Sequence, residues 1–368
     1  MSTKKILYIG GFEMPDKNAA AQRVLSISKA LRLAGYVVSF YGITKANDVK
    51  GTVDGFEYEA IPYPKGMKAW FLYAKGDKII DIIKRKRPNY VFTYNYPVVA
   101  QEKVIRYCHK NGIKVVGDIT EWYMPSDIIR KLDTALRMRW SNKRLDGIIA
   151  ISRFLNDYYK GCNTILLPPI IDTDEIKWKQ QIVDECPDKI KLIYAGVPGF
   201  SKDRLDFIVN GIACVSHENL LFNIVGITKE QYIETFGDKI DVDNLPIVFH
   251  GRLSHNDTIK LLIGSDFQIF FRPNLRVNNA GFPTKFVEAM TAGAPVIMNR
   301  ISNVDDYLKD GFNGIMIDNP VECEIREALE RVSKMNRNDV EQMKANCIRD
   351  QFDYHQYVKT LEEFLNRL

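Results

Sequence analysis

Residues 278–300 read NNAGFPTKFVEAMTAGAPVIMNR and hold the chain's most chemically pointed residue types at helical spacing. Gly281 closes a loop, and Pro283, with its fixed φ and missing N–H, suits the first position of a helix. Phe286, Val287 and Met290 carry the apolar pattern to about Ala292, Gly293 and Pro295 signal its stop, and Ala294–Met298 reads as a short buried strand. The start of such a helix offers unpaired N–H groups and the positive end of its dipole, which together favour phosphate. Lys285 adds a full positive charge in the first turn, and Glu288 stands one turn beyond Thr284 on the same face. The pattern fits a phosphate at the helix tip with a diol held by Glu288. It fits equally a well-capped helix in which Glu288 only complements the dipole.

Positioning such a helix requires an α/β scaffold, and the chain supplies one. Lys5–Gly10 is a β-branched and aromatic run that ends in Gly10-Gly11. A polar loop through Asn18 follows, then a helix with Val24, Leu25, Ile27, Leu31 and Leu33 available for its apolar face, a stop at Gly35, and a second strand at Tyr36–Tyr41. Strand, helix, strand opens a parallel sheet. Further strands are expected at Tyr90–Tyr94, Ile113–Gly117, Asp146–Ser152, Lys191–Gly196, Phe222–Gly226, Val248–Gly251 and Gln268–Phe271. Asp118 and Glu121 stand just past the strand Ile113–Gly117, where open α/β sheets bind ligands; a loop cap or salt bridge accounts for them as well. No GxGxxG follows the first strand, which weighs against a dinucleotide cofactor. The two Asp-x-Asp triplets, at 172–174 and 241–243, read as surface caps rather than metal ligands.

The 368 residues suffice for two domains, and 46% hydrophobic with 26% charged residues describes a globular chain. No apolar run reaches the roughly 18 residues of a membrane span, and MSTKKILYIGGF passes directly into the first strand, so cytoplasmic residence is expected. Six scattered cysteines without a CxxC pair point to neither zinc nor a disulfide framework. Charge is divided unevenly: residues 1–168 carry 28 Lys and Arg against 15 Asp and Glu, the remainder 23 against 31. A front half at +13 calls for an anionic partner such as a membrane surface, a phosphorylated acceptor or nucleic acid, although no nucleic-acid motif is present. Tyr63–Pro88 mixes Trp70, Phe71 and Tyr73 with Lys65, Lys68, Lys75, Lys78 and the run Lys84–Arg87; Arg130–Arg144 repeats the mixture around Trp140. Aromatics among cations suit a membrane interface, and a buried helix with a solvated basic face explains them too.

GFPTKFVEAMTAGAPVI resembles the donor-binding signature of the retaining glycosyltransferases of family 4, which have the GT-B fold of two Rossmann-like domains facing each other across a cleft. In that family a glutamate, seven residues and a second glutamate precede small-Gly-x-Pro-Val. Glu288 matches the second, a ribose ligand in the family, while the first, which contacts the donor sugar, falls on Ala280. The resemblance implies an acceptor-binding domain at 1–168, a nucleotide-sugar donor domain at 169–352, and a last helix at 353–368 that packs back on the first. It places the leaving diphosphate by Lys202, Lys285 and the 281–284 loop (Gly281, Phe282, Pro283, Thr284), with Gly199, Arg252, Leu253 and Arg272 completing the donor site. The arginine that the family has shortly after the glycine of KLIYAG is missing here, and Arg272 or Arg276, just after Gln268–Phe271, could replace that cation. Asp118 and Glu121 become candidates for orienting the acceptor hydroxyl, and Gly11 and Arg23 for an acceptor or phosphate loop. The implied reaction is retaining, metal-independent transfer from a nucleotide-diphosphate sugar to a glycan or lipid-linked acceptor in surface polysaccharide synthesis. Domain closure around the donor would limit hydrolysis. A catalytically silent binding subunit and an epimerase of the same fold are the competing readings.

Overall fold

The computed structural model describes residues 4–15, 18–182 and 186–368, so the start of the N-terminal reading and part of the loop before Asn18 lie outside the described residues. The chain forms two compact units: Met1–Asp172 with Ala280–Phe282 and Asp353–Leu368, and Thr173–Asn279 with Pro283–Phe352.

Unit 1 is built on eight strands: β1 (Lys5–Glu13), β2 (Val37–Thr44), β3 (Lys50–Val53), β4 (Phe56–Pro62), β5 (Tyr90–Tyr94), β6 (Lys114–Ile119), β7 (Gly147–Ala150) and β8 (Thr164–Leu166). They lie in the order β3-β4-β2-β1-β5-β6-β7-β8, parallel except for the β3–β4 hairpin. Helices α1 (Ala19–Leu33), α2 (Gly66–Lys75), α3 (Ile79–Lys86), α4 (Val98–Lys110), α5 (Ile128–Arg139) and α6 (Arg153–Tyr158) cross between them. Ile6, Leu7, Tyr8 and Ile9 of β1 are all buried, as a strand covered on both faces requires. Asn18 caps α1 by accepting from Ala21 N, and the buried Val24, Leu25 and Ile27 share a core with Leu361, Phe364 and Leu365 near the C-terminus.

Unit 2 carries β9 (Ile190–Ala195), β10 (Leu220–Val225), β11 (Ile247–Gly251), β12 (Phe267–Ile269), β13 (Val296–Asn299) and β14 (Gly314–Ile317), all parallel in the order β11-β10-β9-β12-β13-β14. Its helices are α7 (Leu205–Ala213), α8 (Lys229–Phe236), α9 (His255–Ile263), α10 (Arg276–Ala280), α11 (Thr284–Ala292), α12 (Glu322–Ser333) and α13 (Arg337–Ala345); α14 (Val358–Asn366) belongs to unit 1.

Several features depart from the sequence expectations. The β3–β4 hairpin turns on Asp54-Gly55, both at positive φ, the two-residue turn chemistry that matches strand twist. The short helix α10 occupies part of the stretch read as loop before Gly281. Pro283 is the residue before α11 rather than its first helical residue, and Gly293 ends the helix in the left-handed region.

Candidate functional site

In an open parallel sheet, ligands bind beyond the carboxyl ends of the strands where strand order reverses. In unit 2 that reversal falls between β9 and β12. The turn after β9 is tight: Lys202 N donates to Gly199 O, and Gly199 N to Asp203 O, both at 3.1 Å. Asp203, 1% exposed, receives Arg272 Nε at 2.7 Å from the loop after β12, Tyr194 Oη at 3.2 Å from β9, and Lys285 Nζ from the first turn of α11. Asn299 fixes the Arg272 backbone on both sides, accepting from its N at 2.8 Å and donating to its O at 3.0 Å.

The cluster's electrostatics follow from burial opposed by charge. Burial alone would raise the Asp203 carboxyl; Lys285 and Arg272 overrule it and hold the group well below the usual carboxylate range. Burial also pushes the Lys285 ammonium down to about 8, against the attraction of Asp203 and with Arg272 and Lys202 pushing the same way. Lys285 Nζ lies 4.1 Å from the centre of the Tyr194 ring. Gly196, at φ +144°, makes room for this, since a Cβ there would stand 2.5 Å from Lys285 Nζ.

Lys285 borders a cavity of about 900 Å³ together with Thr284 and Glu288 of α11, Gly196 and Val197 after β9, Gly226 after β10, and Arg252 and Leu253 after β11. Pro283 has no side chain able to cap α11, so the cavity meets an uncapped helix start. Thr284 is exposed there. Glu288 is half-buried, its Oε1 4.0 Å from His255 Nε2. Burial raises its carboxyl to about 7, with Lys177 and Lys285 opposing.

Of the sequence candidates, the structure therefore gathers Arg252, Leu253, Thr284, Lys285 and Glu288 on one cavity, with Arg272 behind Lys285 on Asp203. Gly199 shapes the neighbouring turn, and Lys202 is exposed, its charge felt by Lys285. Gly281, Phe282 and Pro283 are not in the cavity wall; Phe282 is 5% exposed, Pro283 is buried, and Ala280, wholly buried, accepts a hydrogen bond from Ser152 Oγ. Asp203, Tyr194 and Asn299 were not anticipated, and no sequence pattern announces Asp203, whose two cationic partners lie 69 and 82 positions away.

Unit 1 repeats the arrangement at its own reversal between β1 and β5, with a cavity of about 520 Å³. Gly11 lines it, with Glu13, Asn95, Asp133 and Arg137 and the rings of Trp70, Tyr73, Tyr94 and Tyr123. Rings with a few convergent polar groups make a ligand pocket. Glu13 accepts from Lys45 Nζ at 2.8 and 3.0 Å. Asp133 accepts from Val98 N at 2.9 Å, and its carboxyl is raised by burial. Asp118 and Arg23 are elsewhere, which corrects their expected roles. Asp118 is fully buried and bound by Arg23 Nη2 at 2.8 Å and Nε at 3.0 Å and by Tyr8 Oη at 2.5 Å. Arg23 spends its remaining donors on Pro168 O and Leu167 O. Neither is within reach of a ligand. Glu121 is half-buried and outside the wall of both cavities.

Residues 190–350, the greater part of unit 2, match the family model "Glycosyl transferases group 1". An uncharacterized glycosyltransferase of Methanocaldococcus jannaschii is 22% identical over 251 residues; the alignment covers 61% of this chain and spans only 59% of that protein's length. Among solved structures, sucrose-phosphate synthase from Thermosynechococcus elongatus superposes with a TM-score of 0.72 at 12% identity, over 99% of this chain and 98% of that one. Anabaena HepE in complex with UDP and glucose gives 0.69 at 14% identity, over 99% and 100%. The lipopolysaccharide outer core galactosyltransferase WaaB in its apo form gives 0.66 at 14% identity, over 98% and 99%. The chain has the GT-B fold, two parallel-sheet Rossmann-like domains. Its domain content and fold are those of a glycosyltransferase.

Proposed function

We propose that the protein transfers a sugar from a nucleotide-diphosphate sugar held in the unit 2 cavity, with retention of anomeric configuration and without a metal, to a glycan or lipid-linked acceptor in surface polysaccharide synthesis. The observation that carries this reading is the ammonium of Lys285, anchored by buried Asp203 at the uncapped start of α11. Breaking a sugar–phosphate bond builds negative charge on the departing diphosphate, and donors fixed in advance stabilise it without reorganising. Lys285 and the first amides of α11 are such donors, and the exposed Lys202, near enough for its charge to act on Lys285, adds a further cation. Glu288, one turn deeper, accepts hydrogen bonds from the ribose diol. Retention rests on the likeness of residues 281–297 to family 4. The basic first half makes peripheral contact with membrane on the cytoplasmic side.

A thermal-shift panel of UDP, GDP, ADP and CMP tests the donor site, because a ligand selective for the folded state raises its stability. One nucleoside diphosphate is expected to raise Tm; four flat responses would remove the reading. Ala280, where family 4 has a carboxylate, favours a second reading: a nucleotide-binding subunit without turnover. Release of labelled sugar from the donor, to water or acceptor, eliminates it. Turnover of donor to a new sugar isomer without acceptor would instead mark an epimerase.

A further inference from the structure

Helix α5 is amphipathic inside out. Its buried positions are Thr134, Arg137 and Met138, whereas Ile128, Leu132 and Leu136 are 67%, 57% and 52% exposed. Residues four apart share one face of a helix, so these three form a single apolar stripe turned away from the core. Helix α2 behaves alike: only Ala74 is buried, and Met67, Phe71 and Leu72 are exposed. With Val98 and Val99 of α4 the two helices frame a groove of about 710 Å³. An apolar face of this extent marks a surface that meets something.

Charge identifies what it meets. Lys65, Lys68, Lys131 and Arg139 are exposed along α2 and α5 and make no ion pair with the described residues. The Lys84–Arg87 run, more conspicuous in sequence, is largely occupied: Lys84 pairs with Asp81, Arg85 with Glu59 and Lys86 with Glu57. We propose that the α2–α5 face seats the protein on an anionic lipid leaflet. Its apolar side chains enter the boundary between headgroups and acyl chains, and its unpaired cations meet lipid phosphates. A second copy is the poorer occupant, since a twofold contact sets the same surface against itself and brings these cations together. The groove also shares Trp70 and Asp133 with the unit 1 cavity. On the glycosyltransferase reading, an acceptor anchored in that leaflet reaches the cavity without leaving the lipid.

Co-sedimentation of the full chain with vesicles tests this. Vesicles of phosphatidylglycerol mixed with phosphatidylcholine are expected to bind it about tenfold or more tightly than phosphatidylcholine alone, and added salt to weaken the difference. Leu72→Glu with Leu132→Glu, both at exposed positions, and separately Lys68→Glu with Lys131→Glu, should each cost about tenfold in vesicle affinity at unchanged Tm. Nucleotide-induced thermal shifts should persist in both variants, so the donor site is judged independently of the lipid face. The proposal is overturned if the wild-type chain ignores anionic vesicles, if it binds both compositions equally, or if the variants bind as the wild type does. It is likewise overturned if the chain is a dimer that Leu132→Glu dissociates, which would assign the face to a second copy.

Discussion

Two buried carboxylates in this protein are each gripped by an arginine, yet they serve different ends. Asp118 and Arg23 are 0% and 4% exposed at their side chains, and between them they exhaust one another, Tyr8 and two backbone carbonyls. Asp203 is as deeply buried, but Lys285, one of its cations, also borders the unit 2 cavity. The first cluster is closed and can only hold the fold together. The second is one-sided, with a buried counter-charge behind and a cation in front. Access, rather than perturbation, separates a structural pair from a binding one.

The comparison can be broken in four places. Asp118→Ala leaves Arg23 buried and uncompensated, so it should cost about 3–5 kcal/mol in urea denaturation while the folded fraction keeps its nucleotide affinity. A loss below about 1 kcal/mol, the range of exposed pairs, would mean the pair is not closed. Lys285→Met should reverse the balance, costing less stability than Asp118→Ala because Arg272 and Tyr194 still hold Asp203, while nucleoside diphosphate affinity falls by about 2–3 kcal/mol, or roughly 30- to 150-fold by calorimetry. Asp203→Asn, which frees Lys285 and Arg272 without removing them, should weaken nucleotide binding about tenfold. It should also destabilise the fold less than Asp118→Ala, because Lys285 can turn to the water of the cavity.

The smallest effect is that of pH. Nucleotide affinity should rise as pH climbs through about 7, where Glu288 ionises and becomes a pure acceptor. It should fall above about 8, as Lys285 loses its proton. Glu288→Gln should flatten the acidic limb at a cost of a few-fold, read as Tm shifts between pH 6 and 9. For the protein without ligand the sign is opposite. Glu288 keeps its proton to about 7, against about 4.3 unfolded, so its contribution to stability is complete at low pH and declines as pH rises across that interval.

Much of the scaffold was legible because its signals are local. The strand runs, the helix after Asn18, and the helix Thr284–Ala292 with its stop at Gly293 all follow from periodicity and signals a few residues apart. The β3–β4 hairpin was equally available in Asp54-Gly55 and went unread. The candidate site was legible only in part. Lys285 and Glu288 share one helix face and could be paired on paper, whereas Asp203 becomes meaningful only beside Arg272 and Lys285. Asp118 misled because the strand-end rule locates a residue without saying whether its side chain turns toward a ligand or into the core; here Tyr8 and Arg23 enclose it. Helix α5 shows the same limit in the other sense, since its Ile128, Leu132 and Leu136 stripe has the spacing of a core face yet lies in the open.

By itself the sequence determined an α/β chain with a phosphate-friendly helix near residue 284 and a strongly basic first half, because propensity, capping and charge are properties of neighbouring residues. Which acids face a cavity, which cations are already neutralised, and which apolar stripe is left uncovered were decided by the tertiary structure alone. Those properties depend on burial and on partners dozens of positions away, and both come into being only when the strands are laid side by side.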